Sequence, residues 1–147
     1  NDKCSLKEAS QKVEEIASKY GFDIDLKKKI YNMSVSEKQT VEIIKVLYRN
    51  ADILILDEPT AVLTPQEIDK LFAILKKMRE DNKSIIIITH KLNEVMSISD
   101  RVSILRKGEY IGTLNTCETD ERELTNYMVG KKIDLKLERL KISASLS

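Results

Sequence analysis

The sequence predicts an α/β fold, in which short apolar runs form a parallel sheet and amphipathic helices connect the strands. Residues 53–57 are an apolar run that ends in acids, Asp57 and then Glu58. Residues 85–88 are four consecutive isoleucines, a pattern typical of a parallel strand that is covered on both faces. The segment between the two runs starts at Thr64 like a capped helix. A helix between two such strands predicts a parallel crossover.

The remaining elements follow from apolar spacing and from capping residues. Residues 5–8 have capping-box spacing and begin a first helix, which Gly21 ends. Thr119 is predicted to cap the last helix, and Gly130 to end it. The other predicted elements are a helix from about Ser36 to Tyr48, strand 53–57, the helix after Thr64, strand 84–89, a short helix 92–97, and strands 101–105 and 110–114.

The order of these elements leads to two predictions about the sheet. Strands 53–57, 84–89 and 101–105 are expected in one parallel sheet, because each connection contains a helix. The carboxyl ends of the first two would then bring Asp57, Glu58 and His90 to a common edge. Strand 110–114 is expected to form an antiparallel hairpin with strand 101–105.

Composition limits the classes of function. The chain has 147 residues, 41% hydrophobic and 33% charged, with a formal net charge of +1. That balance predicts no general attraction to nucleic acid or to anionic membranes. Cys4 and Cys117 have neither metal-binding nor redox spacing, and no apolar stretch reaches transmembrane length.

The two acids at the end of strand 53–57 are the main candidates for chemistry. A carboxylate at the tip of such a strand can hold Mg²⁺, as Asp57 would. The next carboxylate, Glu58, can act as the base for an attacking water. The chain has four glycines and no G-x-x-x-x-G-K-[ST] phosphate loop, so it resembles the second half of an ATPase and is expected to be part of a longer protein. The alternative is an ordinary acidic turn.

Two further residues allow a functional and an ordinary interpretation. His90 is the single histidine and could contact a phosphate from the sheet edge, although a lone histidine is usually a packed or surface residue. Ser34 precedes a helix whose free N–H groups could bind an anion. It is equally suited to be a simple helix cap.

Four segments, in their order along the chain, resemble the ATP-binding subunit of ABC transporters over roughly residues 5–130. Within this family, the chain resembles the sugar and nucleoside importers that have two fused cassettes. It is similar to the C-terminal part of the first cassette. Residues 33–39 occupy the place of the L-S-G-G-Q signature, with Val35, Ser36 and Glu37 where Gly, Gly and Gln are usual. The other matches are residues 53–58 with the Walker B strand, residues 61–64 with the D-loop and His90 with the switch histidine.

The resemblance implies a partial P-loop NTPase (RecA-like) parallel sheet with helices, part of the ABC helical subdomain, and a C-terminal β-hairpin. Residues 1–50 would be the helical subdomain with the signature segment, residues 51–130 the C-terminal part of the ATPase core, and residues 131–147 a linker. The strand that bears the P-loop would be missing. We therefore expect an uncovered apolar surface, and with it self-association or marginal stability.

The resemblance also implies the role of each candidate residue toward ATP and Mg²⁺. Asp57 would hold the metal, Glu58 would polarise the attacking water, and His90 would contact the γ-phosphate. The nucleotide held by the opposite cassette would meet Ser34, Val35, Ser36, Glu37, Leu63 and Thr64.

The implied function is an importer ATPase that couples ATP binding and hydrolysis to solute uptake, with a nucleoside or a monosaccharide as the solute. Its partners would be a transmembrane permease, a second ATP-binding cassette and, indirectly, a solute-binding lipoprotein, at the cytoplasmic face of a bacterial membrane. No nucleic acid is expected. The alternatives are a non-catalytic adaptor that keeps the fold for partner binding, and an ABC ATPase of DNA repair or translation.

Overall fold

The computed structural model of the chain describes residues 2–23, 25, 27 and 30–130. These described residues form two compact units, one up to Thr89 and one from His90 onward. The helices and strands are α1 Asp2–Tyr20, α2 Val35–Tyr48, β1 Ile53–Asp57, α3 Pro65–Glu80, β2 Ser84–Ile88, α4 Leu92–Ile98, β3 Arg101–Arg106, β4 Glu109–Asn115 and α5 Glu121–Met128.

Helices α2 and α3 begin at the residues that their capping patterns indicate. Ser34 caps α2 through its side chain, which accepts a hydrogen bond from the backbone N–H of Glu37. Thr64 caps α3 in a complete capping box with Glu67, and Pro65 occupies the first turn. These bonds satisfy N–H groups that have no partner within the helix, so they fix where each helix starts.

The sheet of the first unit consists, among the described residues, of β1 and β2 in parallel pairing. One of its faces packs toward α3, which buries Leu71, Leu75 and Met78. Leu54 of β1, which is 5% exposed, belongs to the same core. The period-two alternation of a strand therefore places the neighbours of Leu54 on the opposite face.

That opposite face, which we call the isoleucine face, consists of Ile53, Ile55, Ile86 and Ile88. Their exposures are 59%, 61%, 51% and 52%. Ile55 is the register partner of Ile86, so their side chains lie on the same side of the sheet. Among the described residues, a helix thus covers the isoleucine run of β2 on one face only, whereas the sequence pattern predicted cover on both faces.

A polar contact joins the ends of α1 and α3. The hydroxyl of Tyr20, a residue that is 4% exposed, donates to Asp81 Oδ2 at 2.5 Å. Lys19 Nζ donates to the same oxygen at 3.0 Å. The hydrogen bond from Tyr20 is the main reason that the pKa of Asp81 lies below its ordinary value. The contact holds α1 against the strand–helix part of the first unit.

The second unit is a hairpin packed with helices. β3 and β4 pair antiparallel with an irregularity between Ile104 and Leu105. The two-residue turn between them, Lys107-Gly108, has positive φ at both positions, 51° and 77°, as hairpin turns of type I′ require. The core of this unit contains Ile104, Leu114, Leu124 and Tyr127.

The structure corrects three details of the sequence predictions. β3 does not join β1 and β2 in a parallel sheet, because β3 is paired with its sequence neighbour β4 in a separate sheet; a helix in a connection permits parallel pairing without enforcing it. The cap of α5 is Asp120, while Thr119 donates to Glu123 Oε1 at 3.0 Å. Helix α1 begins before Ser5, at Asp2.

The two compact units meet between Thr89 and His90, whereas the predicted boundary between helical subdomain and ATPase core lies near residue 50. The predicted boundary describes a different division of the chain and stays a prediction. The predicted linker, residues 131–147, lies outside the described residues. Among the helices that the structure describes, none is long and apolar enough to cross a membrane.

Candidate functional site

Asp57 and Glu58 lie where β1 ends and the chain turns. Asp57 is the last strand residue and its side chain is exposed, whereas Glu58 is half-buried. The N–H of Glu58 donates to the carbonyl of Ile88 at 2.8 Å, which extends the β1–β2 ladder by one bond. Its φ of 45° is left-handed, a conformation that costs roughly 1–2 kcal/mol for an L-residue. The backbone therefore leaves the extended strand conformation at Glu58, directly after Asp57.

The loop after Glu58 is held tightly. The N–H of Ala61 donates to the Glu58 carbonyl at 3.3 Å, and the N–H of Leu63 donates to that of Thr60 at 3.2 Å. Pro59 is buried, and Thr60 is only 1% exposed. The next residues, Leu63 and Thr64, are the ones predicted to contact nucleotide. Leu63 is half-buried and Thr64 is exposed. The Thr64 hydroxyl donates to Glu67 Oε1 at 3.0 Å.

The candidate signature segment is the start of α2. The hydroxyl of Ser34 accepts from the Glu37 N–H at 3.2 Å, and it lies 3.3 Å from Glu37 Oε1. Val35 is 60% exposed, while Ser36 and Glu37 are half-buried. Ser34 is therefore a helix cap in this chain, as its ordinary interpretation predicts. A carboxylate already complements the positive end of the helix there.

Two side chains of α2 reach the segment after β1, and the sequence analysis assigned neither contact. Gln39 Nε2 donates to the Pro59 carbonyl at 2.7 Å. The nearby hydroxyl of Ser36 is the foremost reason that the pKa of Glu67 lies below its ordinary value. The only hint in the sequence was that Gln39 and Ser36 belong to the signature segment, because spacing alone cannot identify a partner that lies 20 or more residues away.

Two further predictions concern the position of His90 and the residues that could hold Mg²⁺. His90 is exposed and is the first residue of the second unit, so its predicted approach to Glu58 stays a prediction. The part of the chain that the structure describes contains no cluster of three or more His, Cys, Asp or Glu side chains suited to a metal. Asp57 can supply one carboxylate oxygen. That fits Mg²⁺ as proteins commonly hold it, through one or two carboxylates and the oxygens of phosphate and water.

Comparison with known proteins places these segments in a family. The sequence model of the ABC transporter family matches residues 1–61. The chain is 50% identical over 133 residues to a guanosine import ATP-binding protein of Bacillus subtilis, covering 90% of this chain and 26% of that protein. It is 46% identical over 133 residues to a glucose import ATP-binding protein of Haloferax volcanii, covering 90% and 24%. The chain thus spans about a quarter of the length of these curated relatives.

Solved structures agree on the fold. An inward-facing putative metal-chelate type ABC transporter matches with a TM-score of 0.71 at 19% identity, over 82% of this chain and 48% of that one. An ATP-binding cassette of an ABC transporter in its ADP conformation matches with a TM-score of 0.66 at 22% identity, over 92% and 50%. With an ordered set of motifs, an α/β fold and importer relatives at 46–50% identity, the chain belongs to the family of ABC transporter ATP-binding proteins.

Proposed function

We propose that the protein to which this chain belongs couples ATP binding and hydrolysis to the uptake of a solute, a nucleoside or a monosaccharide. The observation that carries this proposal is the placement of Asp57 at the end of a parallel strand and of Glu58 in the turn that follows it. The relatives include a nucleoside import ATP-binding protein of Lactococcus lactis, 44% identical over 134 residues, which favours the same function.

The proposed roles of the two carboxylates are those that the family resemblance implies. Asp57, exposed at the strand end, would hold Mg²⁺ beside the phosphates. Glu58, half-buried, would orient and polarise the attacking water, because the turn limits its reach. Mg²⁺, when bound, supplies charge that offsets the negative phosphate oxygens. His90 would donate a hydrogen bond toward the γ-phosphate.

The remaining site residues would act on the nucleotide of a second cassette. Ser34, at the start of α2, offers a helix N-terminus. Glu37 brings a negative charge to the same turn, and it opposes an incoming phosphate. We therefore propose that the segment formed by Ser34, Val35, Ser36 and Glu37 binds nucleotide more weakly than a Gly-rich signature would. Leu63 and Thr64 would complete this surface from the start of α3.

The proposed partners are a transmembrane permease and the second cassette, with a solute-binding lipoprotein acting on the permease. The protein would lie at the cytoplasmic face of the membrane as a peripheral subunit. Residues 1–50 would serve as the helical subdomain and residues 51–130 as part of the ATPase core. The adaptor alternative has no support among the relatives named above, each of which is an import ATP-binding protein.

Replacing Glu58 by Gln in the intact protein tests the proposed chemistry. We expect ATP hydrolysis to be lost while ATP binding persists, because only the polarisation of water depends on the carboxylate. Glu80→Gln is a control, since it makes the same chemical change at an exposed position at the end of α3. Single-site turnover should be measured, because a second intact site would leave residual activity. Unchanged single-site turnover in Glu58→Gln would refute the assignment.

A second experiment concerns the isolated chain. The sequence contains no phosphate loop of the G-x-x-x-x-G-K-[ST] type, and such a loop supplies the lysine and the backbone cradle for phosphates. We expect this chain alone neither to bind Mg-ATP tightly nor to hydrolyse it. Calorimetric titration measures this directly, and binding at micromolar concentration would contradict the expectation.

A further inference from the structure

The residues that lead into α4 include His90. α4 begins at Leu92, so His90 and Lys91 are the first residues of the second unit and form its entry into the helix. His90 is exposed, whereas Lys91 is half-buried. The direction in which an exposed side chain projects follows from its backbone. Whatever holds Lys91 against α4 therefore also sets the direction of His90 relative to that helix.

Glu94 holds Lys91 through both its main chain and its side chain. The carbonyl of Lys91 accepts from the N–H of Glu94 at 3.1 Å and from that of Val95 at 3.2 Å. The Nζ of Lys91 lies 3.9 Å from Glu94 Oε1. Lys91 occupies the N-cap position of α4 without a side-chain capping bond, because a lysine side chain has no acceptor. The start of this helix therefore depends on the contact with Glu94 and not on an ordinary cap.

The carboxylate of Glu94 is a buried charge that the proposed chemistry does not use. Its side chain is 8% exposed, and the side chain of Lys91 is 33% exposed. A buried carboxylate is costly unless a cation or the positive end of a helix compensates it. Glu94 lies in the first turn of α4 with the ammonium of Lys91 beside it, so this position supplies both kinds of compensation.

The rest of α4 is held independently of Glu94. Three apolar side chains of the helix pack against the core of the second unit: Leu92, Val95 and Met96. At the far end, the hydroxyl of Ser99 donates to the Val95 carbonyl at 2.7 Å and lies 2.9 Å from that of Thr116. Thr116 is 5% exposed. Loss of the charge on Glu94 should therefore loosen the entry into α4 and leave the helix in place.

We propose that Glu94 is a positioning residue for His90. Together with Lys91 it fixes the entry into α4, and through that entry it fixes the direction of the imidazole. The inference rests on the proposed function, in which His90 contacts the γ-phosphate. Glu94 acts through Lys91 and not on the nucleotide itself.

NMR of this chain tests the positioning without nucleotide. His90 is the single histidine, so its ring gives one Cε1–Hε1 signal, to be measured at one fixed pH. We expect the backbone N–H order parameter of His90 to be about 0.85 in the parent chain, the value of a rigid backbone, and below about 0.6 in the variants. The ring signal should move with it. The variants are Glu94→Gln, which keeps the size of the side chain and removes its charge, and Lys91→Met, which removes the ammonium.

Two matched controls make the same chemical changes elsewhere. Glu121→Gln alters an exposed acid in the first turn of α5, and Lys76→Met alters an exposed lysine of α3. Both should leave the order parameter and the ring signal of His90 unchanged.

Amide hydrogen exchange in the same chain tests the pair itself. Lys91→Met should accelerate exchange at the N–H groups of Glu94 and Val95 by about tenfold to a hundredfold, the range for losing an interaction with a charged group. Glu94→Gln should accelerate it less, because no buried carboxylate then remains. The double variant should fall short of the product of the two single effects, since residues in contact are not additive. The N–H of Ser99, which donates to the Val95 carbonyl at 3.1 Å, should be unchanged.

Three results would overturn the proposal. Faster exchange in α4 with an unchanged order parameter and ring signal of His90 would mean that Glu94 stabilises only its own helix. Equal acceleration of all amides, Ser99 included, would mean that the pair serves global stability alone. Purely multiplicative effects in the double variant would show that Lys91 and Glu94 do not act together.

Turnover in the intact protein connects the positioning to the chemistry. Glu94→Gln should lower kcat for ATP hydrolysis by about 10- to 100-fold, as misplacement of a group near the reacting atoms does, with KM unchanged because Glu94 does not touch the nucleotide. Glu121→Gln should change neither constant. If Glu58→Gln is inactive and Glu94→Gln keeps the parent kcat, the positioning role is overturned while the proposed function stands. If Glu58→Gln keeps its turnover, the proposed function fails, and the NMR measurements alone decide whether Glu94 orients His90.

Discussion

The isoleucine face should make this chain self-associate. Ile53, Ile55, Ile86 and Ile88 expose 51–61% of their surface on one side of a two-stranded sheet. The substitution pair Ile55→Thr with Ile86→Thr removes apolar surface from the centre of this face. Threonine is also β-branched, so the strands keep their conformational preference.

The expected size of the effect follows from these exposures. Burying a whole isoleucine side chain is worth about 1.5–3 kcal/mol, so the exposed half of each is worth about 0.8–1.5 kcal/mol. A two-fold dimer buries the two substituted side chains of both copies, which gives about 3–6 kcal/mol. The double variant should therefore weaken dimerisation by about 10²–10⁴-fold.

Size-exclusion chromatography with light scattering, over a series of protein concentrations, measures the association, and a thermal melt measures the fold. Val62→Thr is the matched control, because Val62 is 69% exposed but lies in the loop after β1. It should leave association unchanged. A monomer at every concentration that also melts above about 65 °C, the top of the usual mesophilic range, would refute the reasoning.

Two further predictions concern stability. The pKa of Asp81 in the folded chain is depressed, chiefly by the hydrogen bond from Tyr20. The ionised carboxylate therefore stabilises the folded state above its ordinary pKa of 3.8. This stabilisation is lost as the pH falls through the lower pKa of the folded state. Urea unfolding of Asp81→Asn should therefore show a smaller loss of stability below that pH than the parent chain; equal losses would contradict this. In the hairpin turn, Lys107→Asn should raise stability by up to about 1 kcal/mol, because asparagine tolerates positive φ better than lysine. A thermal melt measures this change. Lys76→Asn, at an exposed position of α3, is a control that should not raise the melting temperature. An unchanged or lowered melting temperature in Lys107→Asn would contradict the prediction.

The predictions that held were those that depend on local rules. The bounds of β1 and the start of α3 follow from an apolar run and from Thr64-Pro65, since caps and periodicity involve residues a few positions apart. The hairpin of β3 and β4 followed from Lys107-Gly108 in the same way. The position of Asp57 and Glu58 at the end of β1 also followed from the sequence, because both acids come directly after an apolar run. The chemistry proposed for them stays a prediction.

Core residues were only partly predictable. Helical spacing predicts that Val41, Ile44, Leu47 and Tyr48 point inward from α2. Ile44 and Leu47 are buried, whereas Val41 and Tyr48 are half-buried. Ile43 is 1% exposed and was missed, because a helix packed on more than one side buries residues outside a single stripe. Likewise, the isoleucine run of β2 predicted two covered faces, but cover depends on what packs against the strand and not on the strand itself.

The sequence by itself determined the family, the order of the elements and the position of the two carboxylates, because each is encoded within a short stretch of chain. Only the tertiary structure decided that β3 pairs with β4 and not with the sheet of β1. It also decided that Glu58 adopts a left-handed turn, and that Gln39 reaches Pro59. The physical reason is that strand partners, strained turns and long-range hydrogen bonds depend on distances between segments, which packing sets and local sequence does not record.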